Sequence, residues 1–226
     1  MLSRVANNPV RPVSTPMKEL SDPLPNPGPW RSALEDYIRR NARPVDKFSH
    51  QQRLYRLAVS LAGGRPFDDD VVHAAVWLHD LGVFVGHRPE ELAALAAWDH
   101  VAYVCGLAPT LLADMGFPAA KVPAVLGVIR DHLPSSRPTS FEGTLVRDAD
   151  ILEQLGAVAI LRTVSKVGRD TRFLRFADAL RVLRRNVETL PGQLLLDSSR
   201  RAAAARTATL NAFLSSAAAE APEDEM

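Results

Sequence analysis

The 226-residue chain contains a single cysteine, Cys105, which excludes an intramolecular disulfide and any cysteine-based zinc site. No run of about 18 apolar residues occurs, so the sequence predicts no membrane-spanning helix. The N-terminus lacks the charged segment and apolar core of a secretory signal. The formal net charge is only +1, which gives no reason to expect nucleic acid as a partner. We therefore expect a cytoplasmic protein.

Apolar residues make up 46% of the chain and charged residues 23%, as in a folded globular protein. Two segments differ from this average. Residues 1–29 hold seven prolines without apolar periodicity, which predicts a flexible leader, and residues 217–226 form an acidic tail. The length between them suits one domain, residues 30–216, with a core at 46–168 and C-terminal helices at 173–216.

Apolar residues recur at three- and four-residue spacing along most of this domain, and no segment alternates as a strand does. The sequence therefore predicts an all-α fold, a compact helical bundle. The expected helices include residues 46–62, 71–81, 89–105 and one long helix over 145–167.

The most informative stretch is residues 74–82, Ala-Ala-Val-Trp-Leu-His-Asp-Leu-Gly. An apolar helix ends here in an adjacent histidine and aspartate, His79 and Asp80, and Gly82 then favours a stop. A buried imidazole and a buried carboxylate are costly unless each has a partner. A divalent metal ion would satisfy both, whereas a core histidine beside a turn-starting aspartate would explain the pair without one.

Further histidines and aspartates occur at helix ends or on apolar faces. They are His50, His100, His132, Asp148 and Asp150. Imidazole and carboxylate ligands together suit manganese, iron, nickel, cobalt or zinc, and the carboxylates also suit magnesium. Spacing alone does not show that such widely separated residues meet in space.

Taken in order, His50, His79-Asp80 and Asp150 resemble the H…HD…D signature of the HD-domain superfamily of metal-dependent phosphohydrolases, in its branch of small stand-alone bacterial proteins. The surrounding segments, within residues 46–168, are similar as well. Residues 49–53 resemble the first-ligand helix, 74–82 the A-A-x-x-H-D-h-G helix, 129–132 the I-x-x-H segment, and 142–156 the E-x-x-h-x-D-A-D-x-L-(D/E)-x-h-G segment.

The resemblance implies hydrolysis of a phosphate ester with a divalent metal ion, whose identity among manganese, nickel, cobalt, zinc, iron and magnesium stays open. The ligands would be His50, His79, Asp80 and Asp150. His100 and His132 match positions that hold a second metal ion in two-metal members, or they could bind substrate phosphate. Asp148 would orient a ligand or Arg147, or would be a surface acid.

Two residues are assigned to catalysis through the same resemblance. Asp80, or a nearby carboxylate, would take or steer the proton of a metal-activated water. Arg53 would neutralise phosphate charge with its guanidinium, unless it forms only a surface ion pair. The chain departs from the family pattern at Gln52 and Ile151, where basic residues are common. These departures predict less positive charge near the substrate phosphate.

Two other functions stay open at this point. Some HD relatives are di-iron oxygenases with ligands in the order H…HD…H…H…D, which this chain can supply. The six residues are His50, His79, Asp80, His100, His132 and Asp150. The other function is a non-catalytic module that binds metal or nucleotide. Basic residues within 162–185 could then hold an acidic ligand, or they could form the solvated face of amphipathic helices.

The expected partner is a small phosphorylated substrate, such as a nucleotide, rather than a membrane or nucleic acid. A homo-oligomer is left open.

Overall fold

The computed structural model describes residues 28–221. The prediction of an all-α fold is confirmed, because these residues form ten α-helices and no strand, with one isolated bridge between Val85 and Arg88. The helices are α1 Pro29–Asn41, α2 Asp46–Leu61, α3 Asp69–Leu78, α4 Leu92–Ala96, α5 His100–Asp114, α6 Val122–Asp131, α7 Phe141–Glu153, α8 Gly156–Val164, α9 Phe176–Thr189 and α10 Asp197–Glu220. The predicted leader up to residue 27, and the predicted tail from residue 222, lie outside the described residues.

Helix α3 lies at the centre of the bundle, packed against α1, α2, α6 and α7. Each of its eight residues from Val71 to Leu78 is buried. All of them except His73 are apolar, and a helix that is apolar on every side is stable only when other elements surround it. The segment that ends in the histidine–aspartate pair is therefore held from all directions.

The start of α3 is fixed by the acids that the sequence places there. The Asp68 carboxylate accepts hydrogen bonds from the backbone N–H groups of Asp70 and Val71, which caps the first turn. Lys121 Nζ lies 2.8 Å from carboxylate oxygens of both Asp68 and Asp70. Arg31 of α1 lies 2.5 Å from the Asp70 carboxylate. These contacts tie α1 and the start of α6 to the central helix.

The predicted single helix over residues 89–105 is wrong. The segment instead forms α4 and α5, separated by residues 97–99. The Asp99 carboxylate accepts from the N–H of Ala102 and starts α5, and the Trp98 indole donates to the Gly82 carbonyl at 2.8 Å. This break places His100 against Gly82, where an added Cβ would lie 2.7 Å from the His100 carbonyl oxygen. Only glycine permits that approach.

The predicted long helix over residues 145–167 is also wrong, because α7 ends at Glu153 and α8 begins at Gly156. Gly156 has φ +81°, and a Cβ there would lie 3.1 Å from the Cβ of Arg206 on α10. The Arg206 guanidinium donates to the Leu152 carbonyl at 2.7 Å, which satisfies an acceptor in the last turn of α7. The contact with α10 therefore stabilises the end of α7 at this position.

The last helix, α10, continues to Glu220, so that the first residues of the predicted acidic tail are helical. It packs against α7, α8 and α9. Every helix within residues 28–221 is too short or too polar to pass through a lipid bilayer.

Candidate metal centre

The histidine–aspartate pair lies just after α3, where the helix gives way to a short 3-10 turn. His79 is buried, and its Nδ1 donates to the Val76 carbonyl at 2.8 Å. A proton held on Nδ1 leaves the lone pair on Nε2. That Nε2 is buried and has no hydrogen-bond partner within the described residues. His79 thus presents an unpaired nitrogen to the interior.

His50 reaches the same place from α2. Its Nδ1 lies 3.2 Å from Glu153 Oε2, and its buried Nε2 has no hydrogen-bond partner in the described part of the chain. This Nε2 lies 3.5 Å from Asp150 Oδ1 and 3.9 Å from Asp80 Oδ2. The ligand atoms of His50, His79 and Asp80 all lie within 4.8 Å of one another.

A second group shares Asp80 with the first. Asp80, His100 and His132 also offer ligand atoms within 4.8 Å of one another. His132 follows α6, and its Nδ1 donates to the Ile129 carbonyl at 2.6 Å. His79 makes the same kind of hydrogen bond to the carbonyl three residues before it, that of Val76. The His132 ring centroid is 5.0 Å from that of His79 and 5.7 Å from that of His100. The two groups are therefore contiguous.

The charges of these side chains suit a cation. Burial lowers the pKa of His79, His100 and His132, so that the three imidazoles are neutral and keep a free lone pair. Burial acts to raise the pKa of Asp80, but attraction to Lys47, His79 and His50 outweighs it and holds that pKa well below the usual range. An ionised carboxylate among neutral imidazoles is the donor set that a divalent metal ion requires.

Lys47 supplies the positive charge nearest to Asp80. Its Nζ lies 3.0 Å from Asp80 Oδ2, and it projects from the first turn of α2, one turn before His50. The remaining ligand candidate, Asp150, adjoins the first group through His50 and accepts from Gln154 Nε2 at 3.3 Å. His50, His79 and Asp80 thus lie together, and Asp150 adjoins them through His50.

Asp148 faces away from this centre. Its buried carboxylate accepts from the backbone N–H of Leu195 at 3.0 Å and of Leu196 at 2.8 Å, at the start of α10. Arg147 lies 3.1 Å from the same carboxylate and also donates to the carbonyls of Gln193 and Pro134. The alternative that Asp148 is a surface acid is wrong, because its side chain is buried. The other alternative, a contact with Arg147, is present in the structure.

Glu153 is a residue of this candidate site to which the sequence analysis assigned no role. This buried carboxylate accepts from His50 Nδ1, from Arg53 Nε at 3.1 Å and from an Arg162 guanidinium nitrogen at 3.4 Å. A carboxylate behind a ligating histidine fixes its tautomer and its orientation. The available signals were an acid in an apolar stretch, and its match to the (D/E) position of the resemblance.

The Arg53 guanidinium donates to Glu153, as described above, and also to Ser49 Oγ at 3.2 Å. It lines neither of the two cavities that reach His50 or Asp80. The role of Arg53 in binding phosphate stays a prediction, whereas its position shows a side chain that braces Glu153.

Two cavities open beside the metal centre. The first, of about 360 Å³, reaches His50 and Lys47, and the second, of about 490 Å³, reaches Asp80 and Asp150. Both are lined by the same three cations, which are Arg162, Lys166 and Arg172. The expected reduction of positive charge at Gln52 and Ile151 stays a prediction, and these cavities have cations from residues outside the matched motifs.

Comparison with solved structures identifies proteins of the same fold. A protein described as a predicted HD superfamily hydrolase, from an uncultured Thermotogales bacterium, is 26% identical over 84% of this chain and 91% of its own, with a TM-score of 0.58. Bacillus subtilis YpgQ in complex with ADP is 21% identical over 85% of this chain and 95% of its own, with a TM-score of 0.64. An HD-superfamily hydrolase from Bacillus thuringiensis is 19% identical over 84% of this chain and 95% of its own, with a TM-score of 0.62.

No protein-family model and no curated protein matches the sequence. The likeness is therefore one of structure, and it covers nearly the whole length of these bacterial proteins. The helical bundle, and the His79-Asp80 pair at the end of its central helix, agree with the resemblance found in the sequence. The chain has the fold of the HD superfamily.

Proposed function

We propose that the protein is a divalent-metal-dependent phosphohydrolase that acts on a nucleotide or another small phosphorylated metabolite. The observation that carries the proposal is the convergence of two buried, unpaired imidazole nitrogens, those of His50 and His79, on the ionised Asp80. Buried polar atoms without a partner are costly. A metal ion held by His50, His79, Asp80 and Asp150 would remove that cost.

A divalent metal ion bound at this site would lower the pKa of a water molecule and polarise a phosphoryl oxygen. The protein's own residues would orient the substrate and handle the proton. We assign to Asp80 the steering of the proton, through a hydrogen bond from a water molecule at the site, because its carboxylate is ionised and belongs to both ligand groups. Glu153 would keep the proton of His50 on Nδ1, so that Nε2 stays available.

The first cavity supports a nucleotide as the substrate. Its lining is mostly charged, but three apolar side chains, Pro44, Val83 and Val85, belong to it as well. A volume of about 360 Å³ is within the range of small-molecule pockets. Cations near the metal centre would hold phosphate, and the apolar surface would pack against a base or another ring. YpgQ, a protein of the same fold, has been solved with ADP.

The second ligand group is compatible with the alternative function, a di-iron oxygenase. Asp80, His100 and His132 could hold a second metal ion. Two metal ions suit in-line attack on a phosphate ester, and two irons would instead favour the di-iron oxygenase. The metal content of the protein separates these functions.

The test is metal content per chain by plasma mass spectrometry, together with phosphate release from a nucleotide panel under anaerobic conditions. We expect about one or two divalent ions per chain, and we expect both the ions and turnover to be lost in His50→Ala and in Asp80→Ala. His87→Ala is the matched control, because His87 contacts Tyr103 and Asn41 rather than the ligand groups.

Two irons per chain with turnover only in air would replace the hydrolase by the oxygenase. Protein that holds no metal even after reconstitution would refute both enzymes and leave a binding module.

A further inference from the structure

The wall shared by the two cavities is formed by the end of α8 and by the turn that follows it. Arg162 lies in α8, and Lys166 and Arg172 follow it. One cavity reaches His50, and the other reaches Asp80 and Asp150. A ligand in either cavity would therefore meet the same three cations.

Lys166 differs from the cations around it. Arg172 pairs with Asp170 at 2.8 Å, Arg162 with Glu153 at 3.4 Å and Lys47 with Asp80 at 3.0 Å. Within residues 28–221, Lys166 forms no ion pair, and its Nζ lies over the Phe173 ring at 5.2 Å from the centroid. Among these four cations, Lys166 is thus the one whose ammonium group has no carboxylate in ion-pair contact, and only Asp170 attracts it from farther away.

Such an arrangement is unfavourable in the free protein. Burial, and then repulsion from Lys47, Arg162 and Arg172, lowers the pKa of Lys166 to about 8. Like charges that are partly withdrawn from water repel each other more strongly than they would in bulk solvent. An anion that enters from solution would relieve the repulsion and supply the missing partner.

We propose that Lys166, flanked by Arg162 and Arg172, forms an anion subsite that binds a phosphate group of the substrate where the two cavities meet. The proposal rests on the proposed function in that it takes this anion to be a substrate phosphate. Lysine binds phosphate as a point charge, and the flanking guanidinium groups offer directional donors. The subsite supplies the positive charge that Gln52 and Ile151 do not.

The test is calorimetric binding of inorganic pyrophosphate to the full-length protein and to Lys166→Met, Lys166→Arg and Arg181→Met. We expect affinity to fall roughly tenfold to a hundredfold in K166M, since a charge-assisted hydrogen bond is lost, and to remain within about threefold in K166R. Arg181→Met is the matched control, because Arg181 is an exposed cation of α9 that pairs with Asp178 and lines neither cavity.

A second measurement distinguishes binding from a structural role. If Lys166 serves an anion, the melting temperature of ligand-free K166M is unchanged or higher, because repulsion is removed. A fall of several degrees would identify Lys166 as a structural residue and overturn the subsite, as would unchanged pyrophosphate affinity in K166M or no binding by the wild type.

The outcome is separable from that of the proposed function. Binding of pyrophosphate through Lys166, without phosphate release from any substrate, would refute the hydrolase and leave the subsite standing. Unimpaired hydrolysis of a phosphorylated substrate by K166M, with an unchanged KM, would overturn the subsite and leave the hydrolase standing.

Discussion

The carboxylate of Glu153 connects the candidate metal centre to the rest of the bundle. It accepts hydrogen bonds from His50, Arg53 and Arg162, which come from two different helices, α2 and α8. Attraction to the same three residues outweighs burial and lowers the pKa of Glu153, so that it remains an anion. A charged acceptor behind His50 makes the opposite nitrogen a better metal ligand.

Glu153→Gln should therefore weaken metal binding by about 10- to 100-fold, with the helical content retained. The amide is neutral, and it can present its NH2 group to the proton on His50 Nδ1. Metal affinity measured by competition with a chelator checks the result. Glu142→Gln is the control, because Glu142 lies on the same helix but accepts from the N–H of Asp68. Equal metal affinity in wild type and E153Q would show that His50 needs no such partner.

The sequence proposed candidate metal ligands more readily than the residues that hold them in place. His50, His79, Asp80 and Asp150 could be proposed because the resemblance matches each to a motif, and their roles as ligands stay a prediction. Glu153 matches a position of the resemblance, but the sequence gives no sign of its partners, and Lys166 could not be distinguished from the other basic residues within 162–185. Their importance depends on partners that are distant in sequence, or on the lack of one, and only the folded chain shows either.

The two sides of helix α7 make contacts with different parts of the molecule. One side presents Asp150 and Glu153 to His50, and the other uses Asp148 to accept the first free N–H groups before α10. Arg147 extends this second contact to the carbonyl of Pro134, just after His132. The Arg147–Asp148 pair thus anchors α10 and the segment after α6 to the helix that bears the ligands.

Asp148→Asn should lower the free energy of unfolding by about 3 kcal/mol, because a buried charge pair loses one partner. Metal content per folded chain should not change. Urea denaturation followed by circular dichroism measures the first quantity. Asp197→Asn is the control at the same junction, because Asp197 is exposed and, within residues 28–221, forms an ion pair only with Arg200. Loss of metal without loss of stability would instead assign Asp148 to the metal centre.

Helix positions were predictable from periodicity, but two interruptions were not. Asp99 resembles any surface acid in the sequence, and its effect as a cap became visible only beside the free N–H of Ala102. Gly156 reads as one glycine inside an apolar run, where it would merely weaken a helix. Its positive φ and the approach of Arg206 explain the break between α7 and α8, and both depend on tertiary packing.

The stability of the whole molecule should depend on pH through a histidine outside the metal centre. His73 of α3 is buried among Trp30, Tyr55 and Trp77. Burial, and then repulsion from Arg31, lowers its pKa from 6.5 to about 3, although nearby Asp69 and Asp70 act in the opposite direction. Its Nε2 lies 3.4 Å from the Glu35 carboxylate. The folded protein therefore holds His73 neutral.

Because the pKa is depressed in the folded state, the stabilising contribution is complete above pH 6.5 and is lost as pH falls from 6.5 towards 3. The loss approaches about 1.4 kcal/mol per pH unit, or roughly 2 kcal/mol at pH 5. Urea denaturation at pH 7.5 and pH 5 should show this fall. The loss of stability between pH 7.5 and pH 5 should be smaller in His73→Phe, because this variant lacks the titrating histidine. Some loss should remain, because the histidines of the candidate metal centre still contribute. An equal fall in both proteins would contradict the assignment.

The hydrogen bond between His50 and Glu153 joins positions 103 residues apart, and the candidate ligands His50 and Asp150 come from the same two segments. A metal ion bound there would act as a cross-link that exists only while the chain is folded. At a metal concentration 100 times Kd, that link adds about 2.7 kcal/mol to stability. A metal-starved chain would open more often, and proteases that cut opened chains would shorten its lifetime. The abundance of the protein in a cell would then follow its metal supply.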